Sequence, residues 1–291
     1  MQIVFHCGVH GTDQDGVLKT LFQNRDWLTR NGIEAIPRSR HRGIFEKALD
    51  SLRGGAATRE MQETMLDAIL DNDNIQRVIC SQPGFIGLPA RVISPEGLIA
   101  PAGDKMAALG NLFADAEVEF FLALKNPATL LPYVVKNIPD RSYEQIMGGI
   151  PPETLRWGPA IRRILQRIGR HRLVLWCHED TPLIWPEVIR RIAAMPGDVP
   201  LKAGLQVLGD ILHPDGIRMI RDEMSKHERM TIATRREIFE AALAIHALPE
   251  KIEAPVHLPG WTQELIDEMT DDYDRDVAEI AALPGVEFIA P

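Results

Sequence analysis

The chain is short of cysteine, has no long apolar run and carries no excess of positive charge. Its three cysteines, Cys7, Cys80 and Cys177, are far apart and odd in number, and each lies in or beside an apolar run (IVFHC, RVIC, LVLWC). That pattern excludes a disulfide framework and offers no CxxC pair for zinc or thiol exchange, so buried strand thiols are expected. No basic stretch leads into an apolar run and a small-residue cleavage site, and no apolar stretch approaches bilayer length. A cytoplasmic protein with no membrane partner is the expectation. The net charge of −9 argues against nucleic acid and anionic lipid, which both favour a basic surface. Internal repeats and low-complexity linkers are absent as well.

What is present suits a globular chain of 291 residues, 45% hydrophobic and 25% charged, with enough length to bury a sizeable core. Apolar strands are predicted at 3–7, 77–80, 118–124 and 173–177. They alternate with helical periodicity over 15–31, 58–71, 104–113, 152–168 and 182–193. This order predicts an α/β fold, a parallel β-sheet flanked by helices. Residues 201–248 and 261–282 have helical periodicity throughout, the latter with a core-facing stripe of Trp261, Leu265, Met269, Tyr273, Val277 and Ile280. A single domain over 1–291 is expected, with an α/β core at 1–195 and a mainly helical portion at 196–291. Of two basic runs, RRILQRIGRHR (162–172) reads as a solvated helix face and RSRHR (38–42) as a loop.

The first strand leads into "GVHGTDQDG" and then an amphipathic helix. In an open parallel sheet such a turn meets ligands, and the helix N-terminus favours an anion. Gly8, Gly11 and Gly16 let the backbone curl, and Thr12 is placed to cap the helix or donate to a phosphate oxygen. The turn matches neither GxxxxGK[ST] nor GxGxxG, and it holds Asp13 and Asp15 but no lysine.

This opening, FHCGVHGTDQDGVLKTLFQNRDWLTRNGIEAIP, resembles that of the bacterial sulfotransferase-like proteins, P-loop-fold relatives that use 3′-phosphoadenylyl sulfate. Asn24, Arg25, Leu28, Gly32, Ile33 and Pro37 fit the family's second segment. EFFLALKNPATLLPYV is similar to its 3′-phosphate strand and turn, and RLVLWCHEDTPLIWPEVIRRIA to a later strand with an acidic turn. PGWTQELIDEMTDDYDRDVAEIAALPGVEFIAP resembles its closing helix and tail.

The resemblance implies a donor site at Gly8, Gly11, Thr12, Asp13, Gln14, Asp15, Lys125 and Tyr133, with His10 and His178 as catalytic candidates. The family's donor lysine falls on Gly11, its glycine and two hydroxyl residues on Asp13, Gln14 and Asp15, its arginine on Lys125 and its serine on Tyr133. A lost lysine contact removes about 1.5–3 kcal/mol. A carboxylate about 5 Å from a phosphate charge costs roughly 3 kcal/mol at an effective dielectric near 20. Together these weaken donor binding on the order of a thousandfold or more.

Alternatives remain at single residues. His6, Cys7 and His10 form H-C-x-x-H, a metal pattern, yet alternation sends His6 and Cys7 to opposite faces. His10, Asp13 and Asp15 suit a hard cation, a basic ligand group or simple helix capping. His178, Glu179 and Asp180 sit where a general base would, and where a helix cap would. Three functions follow: a sulfotransferase-fold protein with weak or lost donor binding, an active sulfotransferase using 3′-phosphoadenylyl sulfate on a small-molecule or peptide hydroxyl, or a metal-dependent phosphoryl-handling protein. No resident metal is expected in the first two.

Overall fold

The computed structural model describes residues 1–12, 15–252 and 256–291. Its strands are β1 (Gln2–His6), β2 (Ile33–Ile36), β3 (Arg77–Ser81), a hairpin of β4 (Ile93–Ser94) and β5 (Gly97–Leu98), β6 (Glu117–Leu124), β7 (Arg172–Cys177) and β8 (Val286–Phe288). Six of them form one parallel sheet in the order β2-β3-β1-β6-β7-β8. The α/β architecture expected from the sequence is the one observed.

The apolar runs follow from burial on both faces. Strand alternation sends Ile3, Phe5, Cys7, Phe120, Leu122 and Leu175 into one core and Val4, Ile79, Phe121, Val174 and Trp176 into the other. Met269, Tyr273 and Ile280 of the long helix Gln263–Ala281 are buried in the first core, with Trp261, Leu265 and Val277 packed against it. The helices Gln206–Ile211, Pro214–Ser225 and Ile232–His246 gather a smaller core of Leu208, Leu212, Ile220, Ile238, Phe239 and Ala242. All three cysteines are buried free thiols, and burial pushes the Cys177 thiol up to about 12 and Cys7 and Cys80 higher still. Among the described residues, no helix is long and apolar enough to cross a membrane.

Four local expectations are corrected. The helix predicted over 15–31 is two helices, Gly16–Gln23 and Arg25–Arg30. Asn24 breaks it, because its amide donates to the carbonyls of Thr20 (2.8 Å) and Lys202 (3.0 Å) and accepts from the Lys202 N–H (3.0 Å). RSRHR is no loop but the start of the helix Arg38–Leu52. Its charges are engaged by Asp15, Asp71 and Glu46, and His41 is fully buried. The helix predicted over 152–168 begins only at Trp157, after a single 3-10 turn at Pro152–Thr154. Finally, β2 and β8 are additional strands. Glu34 in β2 is tolerated because its carboxylate accepts from the Asp71 N–H and Asn72 Nδ2, both at 2.9 Å.

Near the amino ends of the strands lies a buried ionic network. Arg77 donates to Glu119 (2.7 Å) and to the Ile192 carbonyl (2.9 Å), and Arg191 bridges Glu119 (2.7 Å) to Glu287 on β8 (2.6 Å). Burial raises the Glu119 carboxyl, but hydrogen bonds and charge from Arg191 and Arg77 outweigh it and hold the group below its usual range.

Candidate functional site

The chain winds from β1 toward β2 on one side and from β6 toward β7 on the other, which puts the switch point of the sheet, the usual ligand position in open parallel sheets, between the carboxyl ends of β1 and β6. The loop after β1 enters it through a bond from the Cys7 N–H to the Phe121 carbonyl (2.9 Å). Gly8 (φ 50°) and Gly11 (φ 82°) take left-handed conformations that curl the loop. Thr12 turns its N–H (3.1 Å) and its hydroxyl (2.7 Å) onto the Val9 carbonyl, so its side chain neither caps the helix nor faces outward as a donor. Asp15, also left-handed at φ 69°, stands at the N-cap position of Gly16–Gln23 without a side-chain capping bond. Its carboxylate pairs instead with Arg38, whose Nε donates to the Ser81 carbonyl at 3.1 Å. Asp13 and Gln14 lie outside the described residues.

The turn after β6 supplies the second wall. Asn126 caps the helix Pro127–Lys136 by accepting from the Ala128 N–H (2.9 Å), with Pro127 pre-set for the first helical position. This fixes Lys125 under the first loop, where its ammonium donates to the Gly11 carbonyl at 3.1 Å and lies 5.5 Å from the centre of the Tyr133 ring. Burial holds the Lys125 pKa down, partly offset by Glu179. Tyr133 packs directly beneath Gly11: a Cβ built there would lie 2.8 Å from the ring. Position 11 therefore has no room for any side chain while Tyr133 stays where it is.

The end of β7 closes the third side. The His178 N–H bonds to the Leu124 carbonyl at 2.7 Å, joining β7 to β6 beyond their last paired residues. Burial first, and then the Lys125 ammonium, depress the imidazole pKa to about 4, and Nδ1 has no partner among the described residues. Asp180 precedes the helix Thr181–Ala193 without a side-chain capping bond, so capping does not explain this acidic turn. Glu179 is a clamp: it accepts from the Asn126 N–H (2.9 Å) and from the Tyr273 hydroxyl (2.9 Å). The long C-terminal helix thereby reaches the site, and Thr270 adds a second tie to Asn126 at 3.0 Å.

Gly11, Lys125, Tyr133 and His178 thus come together. His10 does not join them; it is buried on the β3 side, where it loses basicity to burial and bonds to the Gly87 backbone. His6 pairs with the Ser81 hydroxyl (2.8 Å) and stacks on Trp176, while Cys7 enters the opposite core, so H-C-x-x-H does not converge. Among the described residues, no three His, Cys, Asp or Glu side chains gather as a metal-holding group. Sequence reasoning missed Arg38 and Tyr273 as neighbours of the site. The proline before Arg38 was the available signal for Arg38, since Pro37 ends β2 and opens the next helix.

No protein-family model matches the chain, and no curated protein does. Among solved structures, the chain is similar to a sulfotransferase from Alicyclobacillus acidocaldarius, at 12% identity and a TM-score of 0.42, over 83% of this chain and 95% of that one.

Proposed function

We propose that this chain is a sulfotransferase-type α/β protein whose donor loop is filled from within, leaving affinity for 3′-phosphoadenylyl sulfate weak or absent, and that it works by binding rather than by group transfer. The sequence motifs around the first loop and the Lys125 turn support the family reading. The observation that carries the loss of donor affinity is the double closure at Gly11, with the Lys125 ammonium on its carbonyl at 3.1 Å and the Tyr133 ring beneath its Cα. The residues present do not fit a phosphosulfate. Lys125 is engaged by the loop itself, Arg38 is neutralised by Asp15, and the space below Gly11 is taken. An entering anion would have to share the Lys125 ammonium with the Gly11 carbonyl and displace a packed ring.

The test is thermal unfolding with 3′-phosphoadenosine 5′-phosphate, with and without magnesium. No shift is expected at millimolar nucleotide, and a clear shift overturns the reading. The double variant Gly11→Lys with Tyr133→Ser, which opens the space and restores the charge, should gain a shift that Gly11→Lys alone does not.

A second reading, sulfuryl transfer to a small-molecule or peptide hydroxyl, is favoured by the neutral His178 beside Lys125, with Nδ1 unpartnered among the described residues. A pKa near 4 makes that imidazole a poor proton acceptor at neutral pH, which places this reading second. Radiolabelled sulfuryl transfer that is lost in His178→Asn would reverse the order.

A further inference from the structure

A cavity of about 650 Å³ opens on the β3 side of the candidate site, between the helix Arg38–Leu52, the 3-10 turn Pro83–Ile86 and the helix Ala102–Leu112. Its size falls in the range of small-molecule pockets. Phe45, Leu49, Phe85 and Leu109 form an apolar wall, and Leu88, 70% exposed, stands on its lining. Gly87, whose backbone holds His10, also faces it.

One polar atom on this wall, and others behind it, lack partners among the described residues. Gln82 lines the cavity, and its Oε1 is buried with no hydrogen bond among the described residues. His41 stacks behind Phe45 and Phe85 with ring centres at 5.2 and 5.5 Å, is fully buried, and has neither nitrogen bonded among the described residues. His10 Nδ1 also has no partner among the described residues. Buried polar atoms are nearly always paired in folded proteins, so the unpartnered Gln82 Oε1 on the wall of an open cavity marks a place where a ligand completes the bonding. The charges on the lining favour neither sign of ion. Arg42 is paired with Glu46 (3.1 Å) and Asp104 with Arg167 (2.6 Å), which leaves Lys105 and Asp50, one of each sign.

We propose that this cavity binds a neutral small molecule with an aromatic or aliphatic body and a hydroxyl or N–H group that donates to Gln82 Oε1. The body lies on Phe45, Phe85 and Leu109 and covers Leu88. Naming an occupant here rests on the binding reading above; the probes share no chemistry with the nucleotide, so either reading can fail alone.

Calorimetric titration with four matched probes tests it: 4-phenylbutan-1-ol, its methyl ether, 4-phenylbutanoate and 4-phenylbutylammonium. The alcohol should bind about 10-fold tighter than the ether, which lacks the donor, and tighter than either ion. Gln82→Leu should remove the preference for alcohol over ether while the body still binds. Ala108→Trp, which places an indole in the cavity, should abolish binding in a protein whose circular dichroism is unchanged. The proposal is overturned by no binding of the alcohol at millimolar concentration, by tighter binding of an ion, or by a Gln82→Leu protein that keeps the alcohol preference.

Discussion

Gly11→Ala probes the closure of the first loop with a single methyl group. Two costs add. Gly11 sits at φ 82°, where a Cβ costs about 1–2 kcal/mol against the following carbonyl. That Cβ would also lie 2.8 Å from Tyr133 ring atoms, well inside contact distance, and overpacking of this kind costs about 1–3 kcal/mol. Gly11→Ala should therefore destabilise the protein by about 2–5 kcal/mol. In a Tyr133→Ala background only the backbone cost remains, so the two substitutions should couple by about 1–3 kcal/mol. Urea unfolding followed by tryptophan fluorescence measures both, provided the slope with denaturant is unchanged. A cost below about 1 kcal/mol for Gly11→Ala, or strict additivity of the pair, would refute the packing on which the filled-loop reading depends.

Glu119→Gln should cost about 3–5 kcal/mol, because it leaves Arg77 and Arg191 facing a neutral amide in a site where the Arg77 and Glu119 side chains are 5% and 2% exposed. Replacing the pair as Arg77→Met with Glu119→Leu should recover most of that loss in the same unfolding assay. Since the Glu119 pKa is lowered in the folded state, its contribution is present above the ordinary carboxylate range and fades as pH falls through the folded value, so wild type and Glu119→Gln should converge in acid. His41 is held near pKa 4 by burial and then by the Arg38 charge, below its unfolded value, so the protein should lose stability between about pH 6.5 and 4 as the unfolded imidazole takes up a proton. His41→Phe keeps the stack on Phe45 and Phe85, sacrifices no hydrogen bond among the described residues and should flatten that pH dependence.

The central strands were legible because β1, β3, β6 and β7 are buried on both faces and read as unbroken apolar runs. β2 and β8 were not, since four residues containing Glu34 and three containing Glu287 give no period to detect. The candidate site was half legible. Gly11, Lys125 and Tyr133 could be named as departures from a donor site, yet nothing local told that the last two would converge on the first. That convergence is set by Asn126 capping one helix and by Glu179 and Thr270 tying the turn to another. The cavity beside His10 was invisible for a similar reason: Phe45, Phe85 and Leu109 are each ordinary core residues in sequence, and RSRHR concealed a buried histidine within a run of arginines.

The pairing of β8 with β7 has a consequence for synthesis. Leu173 meets Val286, a separation of 113 residues (286 − 173), so the outer edge of β7 waits for its neighbour while all of the intervening helices emerge. At about 5–20 residues per second that wait lasts roughly 5–25 seconds. Throughout it, an apolar strand presents unpaired backbone groups, the surface most prone to pair with another nascent chain. Arg191, reaching from the helix Thr181–Ala193 toward Glu287, holds the docking point for β8 in charged form before the strand arrives.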